Sequence, residues 1–174
     1  MDIKPSNNKS FENITKVVAL EGAMKTAINS GDLKDGMDDC ILTHHFAPIV
    51  DDYGCGTYAR ELFMPKGTVI VGKIHKLPHL NIISKGKLVV LTEKGKEVFE
   101  APCTFVSPAG LKRAGYIEED TVWTTIHLTK DLGEHNLHKI ENEVIAKTFA
   151  EIGLQDPTIE DLAMYSKKEL GLLL

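Results

Sequence analysis

Short apolar runs alternate with turn residues through the middle of the chain, and this pattern predicts β-structure. Thr68 to Ile74 is β-branched and apolar, and it follows the turn sequence Pro65-Lys66-Gly67. Further breaks are predicted at Lys85-Gly86, Glu93-Lys94-Gly95, Ser107-Pro108-Ala109-Gly110 and Glu118-Glu119-Asp120. Short strands separated by turns at roughly 8–12-residue spacing are typical of an all-β sandwich or barrel. Residues 40–129 are therefore predicted to form one mainly β domain.

Helical periodicity is predicted on both sides of this β region. Apolar residues recur at helical spacing from Ile14 to Ile28, with Ser10 as a candidate N-cap and Gly31 as a candidate end. We therefore expect a disordered stretch over residues 1–9 and a helical extension over residues 10–39.

The C-terminal part, residues 130–174, is predicted to be helical as well. Leu137 to Ile152 has the pattern of one amphipathic helix that Gly153 would end. A last short helix is expected from Pro157 through Leu170. The apolar tail Leu170–Leu174 is expected to pack on the barrel or on a partner.

Composition and charge narrow the function classes. The chain has 174 residues and a net charge of -5, which offers no general attraction for nucleic acid or anionic lipid. No apolar run reaches the roughly 18 residues that a transmembrane helix needs, and the polar N-terminus is unlike a secretory signal. Three irregularly spaced cysteines indicate reduced thiols. We therefore expect a cytoplasmic protein with neither a nucleic-acid nor a membrane partner.

His75 and His79 are the most informative residues of the β region. Pro78 and the β-branched run before it argue against a helix, so a strand, a turn and a second strand are predicted here. Alternation then places Lys73 and His75 on one face of the first strand. It places His79 and Asn81 on one face of the second strand, and the turn can bring these two faces together. Two converging imidazoles would suit a divalent metal site or an acid/base pair. The alternative is that each is a satisfied polar side chain on a barrel rim.

The spacing of glycine, proline and polar residues resembles that of the cupin superfamily, a group of jelly-roll β-barrels. Gly67 and Gly86 match the glycines at the two ends of the first cupin motif, and Pro108-Ala109-Gly110 matches the core of the second. The resemblance implies a cupin-type double-stranded β-helix with flanking helices. It also implies three histidines and one glutamate as metal ligands, but the four matching positions here hold other side chains as well: Lys73, His75, His79 and Arg113.

This departure leaves two readings of the pocket open. Either His75 and His79 hold a metal with a further ligand, or Lys73 and Arg113 make a cationic pocket that binds an anion. Both require the chain to double back near Pro78, so that the two imidazoles and Arg113 point into one barrel mouth.

Several sequence blocks also resemble uncharacterised cupin-like proteins of tailed phages. These blocks include Gly72-Lys-Ile-His75, His79-Leu-Asn81 and Thr121-Val-Trp123-Thr-Thr-Ile-His127. The resemblance implies a phage or prophage origin and the host cytoplasm as the place of action. A homodimer is expected because cupin-like barrels often pair through sheet edges or faces.

Other residues are candidates because of the strand face that they would share. Trp123, Thr125 and His127 alternate onto one face, so His127 is either a third metal ligand or a surface histidine. Glu61 would supply a carboxylate or form a salt bridge, with Arg60 on the opposite face. At most one of His44 and His45 would join a pocket.

The resulting site prediction assigns three kinds of role. The candidate catalytic residues are Glu61, Arg113 and Tyr116. The candidate substrate-binding residues are Lys73, Asn81, Arg113 and Trp123. The candidate metal ligands are His75, His79 and His127.

Three functions follow from this prediction. The favoured one is a metal-dependent enzyme (Fe, Mn, Ni or Zn) acting on a small molecule by isomerase, lyase or dioxygenase chemistry. The second is a metal-free protein that binds a small anion or nucleotide, as a phage scavenger would. The third is a structural or virion accessory protein whose helices form contact surfaces.

Overall fold

Nine β-strands and three α-helices make up the structure, a computed structural model that describes residues 8–165. The predicted Leu170–Leu174 tail and residues 1–7 lie outside the described residues. Residues 8 and 9 belong to the first helix, so the predicted disorder does not extend to them. The elements, with short 3-10 helices omitted, are α1 (Asn8–Ser30), β1 (Ile41–Val50), β2 (Cys55–Met64), β3 (Val69–Val71), β4 (Ile74–His75), β5 (His79–Thr92), β6 (Gly95–Glu100), β7 (Cys103–Ser107), β8 (Ala114–Thr129), α2 (Leu137–Val144), β9 (Ile145–Ala146) and α3 (Ile159–Ala163).

Seven of these strands form one antiparallel sheet in the order β1-β2-β8-β5-β6, with β3 also paired to β8 and β7 to β5. The long strands β5 and β8 each serve two halves of the sheet. The first part of β5 pairs with β7 and with the end of β8, and its second part pairs with β6 and with the start of β8. The fold is therefore mainly β with helices at both ends of the chain, which confirms the predicted fold class.

Two predicted chain breaks, at Lys85-Gly86 and at Glu118-Glu119-Asp120, are wrong. Both segments lie inside continuous strands, where the β5–β8 register shifts between Ile83 and Leu88. Gly86 has a φ of +86°, and a Cβ there would come within 2.3 Å of the Asp120 carbonyl oxygen. Glycine allows the backbones to approach this closely. The polar and glycine-rich segments therefore bend two paired strands and do not end them.

The bend brings apolar side chains from both halves of the sheet into one cluster. Leu62 and Met64 of β2 pack there with residues from β5 and β8, and the buried members are Leu62, Met64, Ile83, Leu88, Val90 and Ile117. Full burial of each such side chain contributes about 1.5–3 kcal/mol. This cluster lies at one end of the space enclosed by the sheet, and the other end is left for a cavity.

Helix α1 packs against the outer face of the sheet near β5 and β8. Val17 and Leu20 pack against Leu91 and Ala114. The helix ends as predicted, because Gly31 takes a φ of +79° and Asp32 N–H donates to the Ala27 carbonyl. Among residues 8–165, no helix is long and apolar enough to cross a bilayer.

Two segments depart from the predicted elements. The predicted helix Leu137–Ile152 stops at Val144, because Ile145–Ala146 pairs as β9 with Ile74–His75 of β4. The predicted strand Thr68–Ile74 is divided into β3 and β4 by Gly72 and Lys73.

The last described helix starts later than predicted. Helix α3 begins after a capping box between Thr158 and Asp161, so Pro157 precedes the cap and is not the first helical residue.

Candidate metal-binding site

Three strands bring His75, His79 and His127 together. Leu80 of β5 pairs with Ile126 of β8, so the next rung of this ladder places His79 opposite His127. The turn through Leu77 and Pro78 connects β4 to β5 and places the His75 ring beside those of His79 and His127. The predicted strand–turn–strand is therefore present, and the chain doubles back near Pro78.

The three imidazole rings are close enough to share one ion. The ring centroids of His75 and His79 are 4.0 Å apart, those of His75 and His127 5.0 Å, and those of His79 and His127 4.8 Å. One ring nitrogen from each residue lies within 4.8 Å of the other two. The side chains of His79 and His127 are buried, and His75 is partly buried.

Hydrogen bonding leaves nitrogen lone pairs available. The Nδ1 of His79 lies 3.2 Å from the Leu77 carbonyl oxygen, which only accepts, so Nδ1–H donates and Nε2 keeps its lone pair. A backbone carbonyl on the other ring nitrogen is the usual support of a metal-binding histidine. The Nδ1 of His75 is buried and has no hydrogen-bond partner among the described residues.

Burial keeps the three imidazoles neutral. It lowers the pKa of His75 to about 2, with further contributions from His79, His127, Arg60 and Arg113. Burial also lowers the pKa of His127 to about 4, and it lowers the pKa of His79. Neutral imidazole is the form that coordinates metal ions.

The donor set fits a first-row divalent metal. Three neutral imidazole nitrogens suit zinc, iron, nickel or copper, and three protein ligands leave a position for a water or a substrate. Among residues 8–165, Glu141 is the one carboxylate that lines the cavity, and it is ion-paired with Lys73. The sequence resemblance implied a glutamate ligand, whereas the structure offers three histidines.

A cavity of about 510 Å³ opens beside the triad. Helix α2 covers part of it with Leu137, Glu141 and Val144, and strands β2, β5 and β8 form the opposite wall. Much of the lining is apolar, and the polar groups beside the triad include His44, Tyr58, Arg60, Lys73, Asn81, Arg113, Thr125 and Glu141. Cavities of this size with a small number of polar groups are typical of small-molecule sites.

A chain of hydrogen bonds crosses the cavity floor. Trp123 Nε1 donates to Asn81 Oδ1 over 2.9 Å, and Asn81 Nδ2 donates to Ser107 Oγ over 2.8 Å. Arg113 Nη1 donates to the same Ser107 Oγ over 2.6 Å, and its guanidinium lies over the Phe105 ring. Asn81 and Ser107 are completely buried. These contacts hold the Arg113 guanidinium in one position on the cavity wall.

A second polar pair, His44 and Tyr58, lies next to the triad. His44 Nδ1 is 2.8 Å from the Tyr58 hydroxyl oxygen, and the Tyr58 ring centroid is 6.5 Å from that of His127. Burial raises the pKa of Tyr58 and lowers the pKa of His44. Both shifts favour the uncharged pair, a protonated hydroxyl hydrogen-bonded to a neutral imidazole beside the site.

Two predicted catalytic residues, Glu61 and Tyr116, lie outside the cavity. Glu61 faces the outer side of β2, where its carboxylate is 3.8 Å from His45 Nε2. Gly115 and Ile117 face the cavity and the apolar cluster, so alternation turns Tyr116 away from both. Neither residue is therefore placed to act on a molecule bound in the cavity.

The other predicted site residues line the cavity. Lys73 lies between β3 and β4 and is tied to Glu141. Asn81 and Trp123 are wall residues whose polar atoms already bond each other. Sequence reasoning missed Tyr58 and assigned no role to Arg60, although period-2 alternation from Tyr58 through Arg60 to Leu62 links the three on one face.

No family model matches the chain, and no curated protein matches it either. The chain is similar to solved structures of a cupin-2 domain protein from Shewanella frigidimarina, of ectoine synthase from P. lautus and of a cupin 2 domain protein from Halorhodospira halophila. The identities are 11%, 10% and 10% and the TM-scores 0.38, 0.45 and 0.45. The matches cover 50%, 59% and 75% of this chain and 80%, 72% and 79% of the others.

At such identities and TM-scores these matches assign no role to the cavity. The chemistry of the cavity rests on the side chains described above.

Proposed function

We propose that this protein is a metal-dependent enzyme that acts on a small molecule bound in the cavity. The observation that carries the proposal is the triad His75, His79 and His127, whose nitrogens converge within 4.8 Å beside a cavity of about 510 Å³. Two of these neutral imidazoles are buried and one is partly buried, and no carboxylate among the described residues is hydrogen-bonded to them, which is a destabilising arrangement unless a ligand uses it. Zinc, iron and nickel, which suit imidazole nitrogens, are the candidate ions.

The residues that line the cavity would have different roles in the reaction. The triad would hold the metal, which supplies Lewis-acid or redox chemistry to a bound molecule. Tyr58 would donate a hydrogen bond to the bound molecule, and His44, hydrogen-bonded to its hydroxyl, would hold that hydroxyl in place. Leu137 and Val144 of α2 would exclude water from one side.

Metal analysis of protein purified without a histidine tag tests the proposal. We expect about one equivalent of a divalent metal per chain after reconstitution. Cobalt substitution should give visible absorption bands of a low-coordinate site, a readout that needs no knowledge of the substrate. His79→Ala and His127→Ala should abolish both signals. His45→Ala is the matched control, because His45 lies on the outer face of β1 beside Glu61. A wild-type protein that retains less than about a tenth of an equivalent after reconstitution contradicts the proposal.

The held position of Arg113 favours a second candidate function, a metal-free binding protein. Its guanidinium is fixed through Ser107 and Phe105 independently of the triad. Ligand binding that is unchanged after chelator treatment would support this candidate over the enzyme.

The expected phage origin, homodimer and cytoplasmic location stay predictions from the sequence. Light scattering on the purified full chain measures the oligomeric state directly.

A further inference from the structure

The two arginines of the chain share one location. Only Arg60 and Arg113 are arginines among the 20 lysines and arginines of the sequence, and both line the cavity. The lysines supply the positive charge of the rest of the chain, which has a net charge of -5. Guanidinium differs from ammonium in its planar donor fork, which matches carboxylate and phosphate oxygens.

Neither guanidinium is neutralised by the protein. Among residues 8–165, no carboxylate lies within 4.0 Å of Arg60 or Arg113. Glu93 and Glu97 act on Arg113 only from a longer distance. The Nε atom of Arg113 is buried and has no hydrogen-bond partner among the described residues. Arg60 and Arg113 are both partly buried. Charges that are partly removed from water are ordinarily paired, so a ligand of opposite charge would supply the missing partner.

The charge balance of the whole cavity wall leads to the same conclusion. Lys73 and Glu141 are paired to each other and cancel. The two guanidiniums have no such partner in the lining and therefore leave it with a net positive charge.

Both guanidiniums also flank the triad. Arg113 and Arg60 each act electrostatically on His75, while Arg113 acts on His79 and Arg60 acts on His127. In the β2–β8–β5 ladder, Arg60 lies opposite Thr125, and Thr125 lies opposite Asn81, whose amide bonds the serine that holds Arg113. An anion held by these guanidiniums therefore lies beside the triad.

We infer that the molecule bound in the cavity is a small anion, bearing a carboxylate or a phosphate, and that Arg60 and Arg113 bind its charged group. This inference rests on the proposed function for its substrate class, and it names the chemistry that the metal centre would act upon. Ser107 holds the Arg113 guanidinium in place, and Arg60 on β2 supplies a second positive charge to neutralise the anion.

Isothermal titration with matched charged and uncharged probes tests the inference. Succinate, inorganic phosphate and glucose 6-phosphate are compared with succinamide and glucose, on the metal-loaded and the chelator-treated full chain. We expect at least one anion to bind roughly ten times or more tightly than its uncharged analogue, and the better of the carboxylate and phosphate arms identifies the group. Arg60→Met and Arg113→Met should each weaken that binding by roughly tenfold or more. Lys87→Met is the matched control, since Lys87 is partly buried outside the cavity and paired with Glu118.

A second measurement needs no variant and so does not depend on how the variants fold. Phenylglyoxal modifies arginine, and the two arginines of this chain are resolved by peptide mass spectrometry. The bound anion should protect both Arg60 and Arg113 from modification. Equal binding of charged and uncharged probes, absence of anion binding at millimolar concentration, or modification unaffected by the anion would overturn the inference.

The two proposals fail in different ways. Anion binding and arginine protection in a protein that takes up no metal would remove the enzyme proposal and leave the anion site standing. Metal uptake with no preference for charged probes would do the reverse.

Discussion

Asn81 is the residue on which the cavity floor depends. It is completely buried, it accepts from Trp123 and it donates to Ser107, which in turn holds Arg113. In the sequence, Asn81 is a candidate only because of its position two residues after His79. Its two side-chain partners, Ser107 and Trp123, lie 26 and 42 residues away, so these contacts come from strand pairing and not from local pattern.

Replacing Asn81 should therefore weaken both the fold and the anion site. Asn81→Ala leaves the Trp123 indole N–H without its acceptor and frees Ser107, which should lower the free energy of unfolding by about 1–3 kcal/mol. Trp123 is the only tryptophan of the chain, so its fluorescence reports the change during urea unfolding. Asn142→Ala, at an exposed position of α2, serves as the control. Equal stability of the two variants would show that the floor network is not a stabilising one.

The histidines show what could be predicted at this scale. His75, His79 and His127 were identified from alternation and from Pro78, and the structure brings all three together. Glu61 and Arg60 were assigned to opposite faces correctly, but alternation does not say which face points inward. That choice depends on the packing of β2 against β8 across the sheet, and it placed Arg60 in the cavity and Glu61 outside.

The bend shared by β5 and β8 is the decisive feature at the scale of elements. Gly86 allows the Asp120 carbonyl to approach, and one strand can then serve both halves of the sheet. The sequence pattern indicated a break here because glycine and a run of acidic residues are typical of turns. A turn and a bend have the same local signature, and only the pairing partners distinguish them.

A pair of alanine substitutions separates backbone strain from close contact. Gly67 and Gly86 have φ values of +87° and +86°, but a Cβ at Gly67 meets nothing within 4 Å. Gly67→Ala should lower the free energy of unfolding by about 1 kcal/mol from the positive φ alone. Gly86→Ala should lower it by several kcal/mol, about 3 or more, because a Cβ at 2.3 Å from backbone forces β5 and β8 apart. Thermal and urea unfolding measure both variants, and equal losses would show that the bend tolerates a side chain.

At the scale of the whole molecule, the buried neutral triad links stability to pH. In the unfolded chain these histidines titrate near 6.5, whereas in the folded metal-free protein the pKa of His127 is about 4 and that of His75 about 2. Arg60 and Arg113 also oppose protonation of the triad. Below pH 6.5 the unfolded chain therefore binds more protons than the folded chain, so lowering the pH favours unfolding.

Urea unfolding of the metal-free protein should show this dependence between pH 6.5 and 4.5. The free energy of unfolding should fall with decreasing pH, by up to about 1.4 kcal/mol per pH unit for each histidine that stays neutral. Carboxylates such as Glu21, whose pKa is lowered from 4.5, lose their contribution only below this window. His127→Gln should reduce the slope, and a slope unchanged by that substitution would contradict the assignment. Saturating zinc should raise the transition temperature at pH 7, since a ligand of the folded state stabilises it.

The sequence by itself determined the mainly β class, the flanking helix α1 with its end at Gly31 and the turn at Pro78, and it identified His75, His79 and His127 as candidate ligands. Each of these follows from short-range rules: period-2 alternation, helical spacing, and the backbone limits of proline and glycine. The tertiary structure alone decided that β5 and β8 bend without breaking, that Ile145–Ala146 becomes a strand, and that both arginines face the cavity. The reason is that strand pairing over long sequence separations chooses partners and inward faces, and those choices have no signal in the local pattern.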